Sequence, residues 1–373
     1  MNSSWRLGRI AGVEVRVDPS WVVAMALFTV IFWNRFADPI QFPGLAGGTA
    51  LLLAVVTSCL FFGSVLAHEL AHATMSKARR IPVRDITLFM FGGATSAEIE
   101  SRGPADEFLV TVVGPLTSLA IGAVFLLGHV LGRDSLPRPI WLGVFGIMAY
   151  ANVLIGLFNL LPGFPLDGGR LLRSALWRAT RSLERATRIA ARVGQVVALL
   201  IVAGGVWLGI RDGNLLDGLW PALVGSFLFR AAGATLASAQ RQRLLESATA
   251  RQVMSSPPPT IAGDLSLGTA IERYLRGHEG EAFPVMTADR GVAGFVSLRT
   301  ALRVPPDQPV VAAMVGLEGV TVAGPEDRMT DVVAGMGAGP RRTVLVVDAG
   351  RLVGVIEPED LARYLRRGAP VRP

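Results

Sequence analysis

The sequence predicts a polytopic α-helical membrane domain with six transmembrane helices, followed by an α/β domain made of a tandem repeat. Three observations predict it. Of 373 residues, 51% are hydrophobic and 17% charged, whereas about a quarter of a soluble globular chain is charged. The apolar excess lies before residue 240 and gathers into six runs, each near the roughly 20 residues that a helix needs to cross a bilayer. Beyond residue 247 the chain repeats itself at an offset of 60: Met254 with Met314, and Gly294 with Gly354. The expected division is residues 1–240 and 241–373, the latter in halves of about 247–305 and 308–370.

The six runs are Ser20–Phe36, Ala50–Ser76, Phe108–Leu131, Ile140–Leu161, Val193–Ile210 and Leu219–Leu236. Arg6, Arg9 and Arg16 precede the first, with no small-residue cleavage site, so an uncleaved span is expected. With the N-terminus in the cytoplasm, the inner connections carry fifteen Lys and Arg and the outer ones four. That asymmetry orients the chain with both termini cytoplasmic in a cell membrane. The net charge of +7 then belongs to topology and to anionic lipid. No recognition motif accompanies it, so no nucleic-acid partner is expected. Cys59, the one cysteine, excludes an intramolecular disulfide and a cysteine zinc cage, and is expected as a small buried hydrophobe.

Within the second run, His68-Glu69-Leu70-Ala71-His72 sets two imidazoles at i and i+4 on one helix face beside a carboxylate. That pattern suits one zinc ion with Glu69 as general base. Ionisable groups are costly in hydrocarbon, which marks the cluster as functional. Zinc at a catalytic site takes three protein ligands and keeps a position open. The other histidines do not supply the third: His129 falls at the opposite end of its span, and His278 in the soluble half reads as a surface residue. Asn159-Leu-Leu-Pro-Gly-Phe-Pro-Leu-Asp-Gly-Gly-Arg170 ends the fourth run on the same side as His68, and Asp167 is its one acid. Pro162 and Pro165 break the helix, and Gly163, Gly168 and Gly169 are expected to permit unusual backbone angles. By itself Asp167 fits equally a cap on a helix over 168–180; the incomplete zinc site favours a ligand.

These motifs resemble the site-2 proteases, zinc intramembrane metalloproteases, and among them the bacterial and archaeal branch with a C-terminal pair of CBS domains. Leu7–Arg16 and Asp18-Pro-Ser-Trp21 are similar to this branch as well. The resemblance implies that His68, His72 and Asp167 bind one Zn2+ per chain and that Glu69 is the base. It implies that Asn159 supports the substrate or its oxyanion, against a plain helix–helix hydrogen bond. Residues 81–98, β-prone around Phe91-Gly92-Gly93, resemble the family's small membrane-embedded β-sheet, whose edge suits pairing with an unwound substrate segment. Gly114-Pro115 matches a family position for close packing. Implied substrates are membrane-bound regulators such as anti-sigma or pro-sigma factors.

The repeat resembles tandem CBS domains, each half reading β–α–β–β–α, with helices over Leu267–Tyr274 and Met329–Met336. The resemblance implies a pseudo-twofold pair with clefts for adenine nucleotides, and a homodimer formed through the CBS domains as a candidate partner. The nucleotide pattern wants Ser or Thr three residues after the glycine and Asp three further on. The first half has Ser297 with Thr300, the second Asp360 with Glu357, so neither is complete. A docking or dimerising module stands beside the nucleotide reading. The chain is therefore expected to be an intramembrane zinc endopeptidase. A non-catalytic pseudoprotease acting through the CBS pair, and a CBS-gated transporter, are the rivals.

Overall fold

The computed structural model describes residues 4–367 except 91, 98–101, 135–139, 257–258, 279–280, 288–290, 319, 337–342 and 350. The chain divides into two compact units, Met1–Ala237 and Ser238–Pro373.

The first unit opens on a hairpin of β1 (Trp5–Ile10) and β2 (Val13–Val17). Its turn residues Ala11 and Gly12 have φ of 50° and 72°, the left-handed pair that matches the twist of two-residue hairpins. Asp18 then caps α1 (Pro19–Phe36) by accepting from the Ser20 backbone N–H, with Pro19 at the helix start. There follow α2 (Gly47–Ala78), β3 (Val83–Phe89), β4 (Gly92–Ala97), α3 (Pro104–Gly132), α4 (Trp141–Asn159), α5 (Asp167–Thr180), α6 (Leu183–Arg211) and α7 (Leu215–Ser247). Six of these helices are long and apolar enough to cross a membrane: α1, α2, α3, α4, α6 and, within α7, Gly218–Ser247. Each expected run lies inside one of them or stops within two residues of its end. The helices other than α4, which is shorter than its run, are longer because backbone hydrogen bonding continues past the apolar residues. Leu51, Leu52, Val55, Leu126, Leu127, Leu199 and Leu200 are exposed, as a lipid-facing surface requires. Small residues set the helix contacts instead. A Cβ on Gly122 would meet Val153 Cγ2 at 2.8 Å, and one on Gly156 would meet the Pro115 carbonyl at 3.1 Å.

Cys59 is exposed, not buried. A small apolar side chain on a spanning helix has no need of the protein interior, since hydrocarbon solvates it equally well.

The four-stranded sheet runs β1-β2-β3-β4, with β2 parallel to β3. The β3–β4 hairpin lies where the residues 81–98 suggested; Phe91 and Glu98 are outside the described residues. The N-terminal half of the sheet is an addition. Its signal was present as the alternation Val13-Glu14-Val15-Arg16-Val17, in which the valines are buried and the charged residues half-buried. Val13, Val17, Ile86 and Leu88 pack against Leu66, Leu70 and Ala73 of α2. Each such buried side chain contributes about 1.5–3 kcal/mol over exposure. The sheet thus seats α2 by one face and leaves another free for the histidines.

In the second unit, α8 (Ala250–Val253) precedes two sheets. One is β5 (Ile261–Ala262), β6 (Ala282–Met286), β7 (Val292–Ser297) and β8 (Val315–Gly316); the other is β9 (Thr321–Ala323), β10 (Val344–Asp348) and β11 (Arg351–Ile356). The helices are α9 (Leu267–Ala270, continued by a π turn over Ile271–Leu275), α10 (Leu298–Ala301), α11 (Met329–Met336) and α12 (Pro358–Arg367). The two halves exchange their leading segments. Ser255 bridges Val355, while β8 pairs with β7. A Cβ on Gly354 would lie 2.5 Å from Met254 Sδ, and one on Gly294 would lie 2.5 Å from Met314 Cγ. The Met and Gly that mark the 60-residue repeat are therefore contact partners across the halves.

Candidate active site

α2 presents His68 and His72 to the same side, ring centroids 4.9 Å apart. Their Nε2 atoms approach to 3.2 Å. Asp167 Oδ2 lies 3.0 Å from His68 Nε2 and 3.2 Å from His72 Nε2. Both imidazoles are 5% exposed. Two nitrogens and a carboxylate oxygen thus converge on one point, the only grouping of three potential metal ligands among the described residues.

The far side of each ring is held by α3. His72 Nδ1 donates to the Val110 carbonyl at 2.8 Å, and since a carbonyl only accepts, the neutral ring keeps its Nε2 lone pair aimed at the centre. His68 Nδ1 pairs with Ser118 Oγ at 2.9 Å. Such outer partners orient a ligating imidazole and fix its tautomer. Gly114, between them on α3, leaves the space for both rings: a Cβ there would lie 2.2 Å from His72 Nε2 and 2.7 Å from His68 Nε2. The donor set and its lone-pair directions fit a divalent cation of the zinc type.

Asp167 is the first residue of α5, whose N-cap is Leu166 with no side-chain cap bond. Its carboxylate faces the histidines instead of closing its own helix, and the positive end of the α5 dipole favours a negative charge there. The preceding loop is compact. A Cβ on Gly168 would lie 2.2 Å from the Leu161 carbonyl, one on Gly169 2.3 Å from Phe164 N, and one on Gly163 2.3 Å from the α6 residue Gly194. None of the three has a positive φ. They serve close backbone approach, which corrects the expectation of unusual angles.

Glu69, half-buried, lies under β4: a Cβ on Gly93 would be 2.4 Å from Glu69 Cγ. Gly93→Ala is expected to leave the three converging atoms in place and to displace Glu69; a displacement of about an ångström slows any reaction in which that carboxylate acts by roughly 100-fold. Metal content and rate measured on one preparation check it; an unchanged rate would separate β4 from the chemistry. Asn159, the last residue of α4, donates Nδ2 to the Ile155 carbonyl at 3.1 Å, a bond within its own helix. His129 Nδ1 donates to the Leu142 carbonyl at 2.9 Å, and His278 is exposed beside Glu281.

In the second unit Ser297 caps α10 in a reciprocal box with Thr300. Asp360 is 5% exposed. It accepts from Ser255 Oγ and the Glu357 N–H, each at 3.0 Å. Burial, then the carboxylates of Asp360, Glu359 and Glu281, push the Glu357 carboxyl above its usual range. The sequence pair Arg341-Arg342, which could bind phosphate or form a solvated turn, lies outside the described residues.

Comparison with known proteins identifies the family. Residues 131–201 match the model of peptidase family M50, and residues 250–314 that of the CBS domain. The Mycobacterium tuberculosis protein named zinc metalloprotease Rip3 is 36% identical over 98% of this chain and 93% of its own length. The chain belongs to peptidase family M50, the site-2 proteases. A Synechocystis relative, named zinc metalloprotease sll0528, is 32% identical over 99% of this chain and 97% of its own. The solved site-2 protease of Methanocaldococcus jannaschii is 26% identical, covering 62% of this chain and 95% of that one with a TM-score of 0.42. Membership in this family, with six apolar helices, makes the chain a multi-pass membrane protein. Its relatives are named as zinc metalloproteases, and the chain carries a CBS domain.

Sequence reasoning singled out His68, Glu69, His72 and Asp167 and missed the α3 side of the site. Val110 acts through its backbone, so nothing in its side chain betrays it. Ser118 is an ordinary small residue of a span. Gly114 was read for close packing, and the packing is against the imidazoles themselves.

Proposed function

We propose that the chain is an intramembrane zinc endopeptidase in which His68, His72 and Asp167 hold one zinc ion and Glu69 is the general base. The convergence of the three ligand atoms, with both Nδ1 atoms tied back to α3, supports the reading. When bound, zinc supplies Lewis acidity and a water of lowered pKa. Glu69 takes the proton as water attacks the scissile carbonyl and delivers it to the leaving amine. Asn159 supports the developing oxyanion or the substrate backbone from the end of α4. β4 is the outer strand of its sheet and lies over Glu69, so a substrate segment pairing with it brings an extended peptide to the base. Burial of the site excludes bulk water and strengthens each electrostatic contact.

The protease domain is assigned to residues 1–240 and the regulatory CBS pair to 241–373, in a cell membrane with both termini cytoplasmic. The substrates are transmembrane or membrane-proximal segments of membrane-bound regulators of the anti-sigma or pro-sigma class. For the CBS pair a docking and dimerising role is the better supported one. Ser297 and Asp360 are engaged in local caps, and the acidic surroundings of Glu357 oppose a phosphate.

The test is metal content of the purified, detergent-solubilised protein beside Asp167→Ala. The expected result is about one zinc per chain in the wild type, lost in the variant together with cleavage of a single-span substrate. Zinc retained in full by Asp167→Ala would remove the third-ligand assignment. A folded wild type without zinc would favour a pseudoprotease.

A further inference from the structure

α3 does more than hold the imidazoles. Glu107, in its first turn, has 0% exposure. It accepts from Arg173 Nε at 2.7 Å and from Arg173 Nη2 through the same carboxylate oxygen, and Arg170 Nε lies 3.9 Å from that oxygen. Arg173 also sits over the Phe164 ring, 5.2 Å from its centroid. Both arginines belong to α5, the helix that begins with Asp167, and Phe164 belongs to the loop before it. Along α3, Glu107, Val110, Gly114 and Ser118 recur at spacings of three and four, so one stripe meets α5, His72, both rings and His68 in turn.

A buried carboxylate needs a partner, and here the partner stands six residues, under two helical turns, beyond Asp167. Two of the three proposed ligands come from α2 and are fixed by hydrogen bonds to α3. The third has no such bond to α3 of its own among the contacts described above. Among the described residues, the charged ties between α5 and α3 are the contacts of Arg173 and, at longer range, Arg170 with Glu107. We propose that Glu107 and Arg173 are positioning residues that register α5 on α3 and so set the Asp167 carboxylate against the two imidazoles. The inference rests on Asp167 being a zinc ligand.

The experiment measures how fast a chelator strips zinc from the full-length protein in detergent, beside thermal stability of the metal-free form. Glu107→Gln and Arg173→Gln should each release zinc on the order of ten-fold faster, the usual effect of losing an outer-shell partner. Removing one member of a buried pair also destabilises the fold, whereas removing both relieves the unpaired charge. Glu107→Gln/Arg173→Gln is therefore expected to regain stability yet still release zinc fast, which a merely structural pair would not do. Arg173→Lys, which keeps the charge, should lie between wild type and Arg173→Gln. Wild-type release in the double variant, while Asp167→Ala holds no zinc, overturns the positioning role and leaves the ligand assignment standing. Full zinc in Asp167→Ala overturns both.

Discussion

Glu69→Gln is expected to leave zinc content at the wild-type value while cleavage falls by about 10²–10⁴, the range that a general base contributes. The exchange is isosteric. The amide fills the space beneath Gly93, whose missing Cβ lets Glu69 Cγ approach. It has no basic oxygen to take a proton from the attacking water, so the lost step is proton transfer. Zinc stays because Glu69 is not among the three converging atoms, which belong to His68, His72 and Asp167. Zinc content by elemental analysis and turnover of a membrane-embedded peptide, both on one preparation, separate the two effects. Loss of zinc with activity would make Glu69 part of the metal site. Retention of both would place the base elsewhere. The result complements Gly93→Ala, which keeps the carboxylate and displaces it.

Much of this was legible in the sequence, and the boundary falls at a definite place. The six spans were readable because a bilayer imposes a length and an apolarity on any crossing helix. His68, Glu69 and His72 were readable because helical spacing alone puts them together. Asp167 was harder, since it is 95 residues from His72, and only the need for a third ligand at matching depth singled it out. The α3 side was not readable. Val110 contributes a carbonyl that every residue has, and Gly114 contributes the absence of a side chain. Glu107 left a faint signal, an acid at the head of an apolar span. Its meaning depended on Arg173, 66 residues away. Sequence patterning reports what one element does for itself, and these residues act on a neighbouring element. In the second unit the 60-residue spacing of Met254/Met314 and Gly294/Gly354 was visible. That the methionine of each half packs on the glycine of the other is a fact of topology.

Gly114→Ala is expected to abolish zinc binding and cleavage together, through a single added methyl group. That methyl would lie 2.2 Å from His72 Nε2, 2.4 Å from His72 Cε1 and 2.7 Å from His68 Nε2, all far inside van der Waals contact. Relief has two routes. The imidazoles can swing away, which breaks the bonds of His72 to the Val110 carbonyl and of His68 to Ser118. Or α3 can retreat from α2, but it is also packed on α4 through Gly122, against Val153, and through Pro115 and Leu119, against Gly156. The first route misdirects both ring lone pairs and the second withdraws their supports. Either way the three ligand atoms cease to converge, and zinc affinity should drop by on the order of 100-fold or more. Gly63→Ala is the matched control, because a Cβ at Gly63 of α2 meets nothing within 4 Å. It should hold zinc and activity at the wild-type level, with helix stability raised by about 0.5–1 kcal/mol. Wild-type zinc affinity in Gly114→Ala would mean that the rings are not held against α3 in the working protein. The Val110 and Ser118 contacts would then lose their role in aiming the two nitrogens.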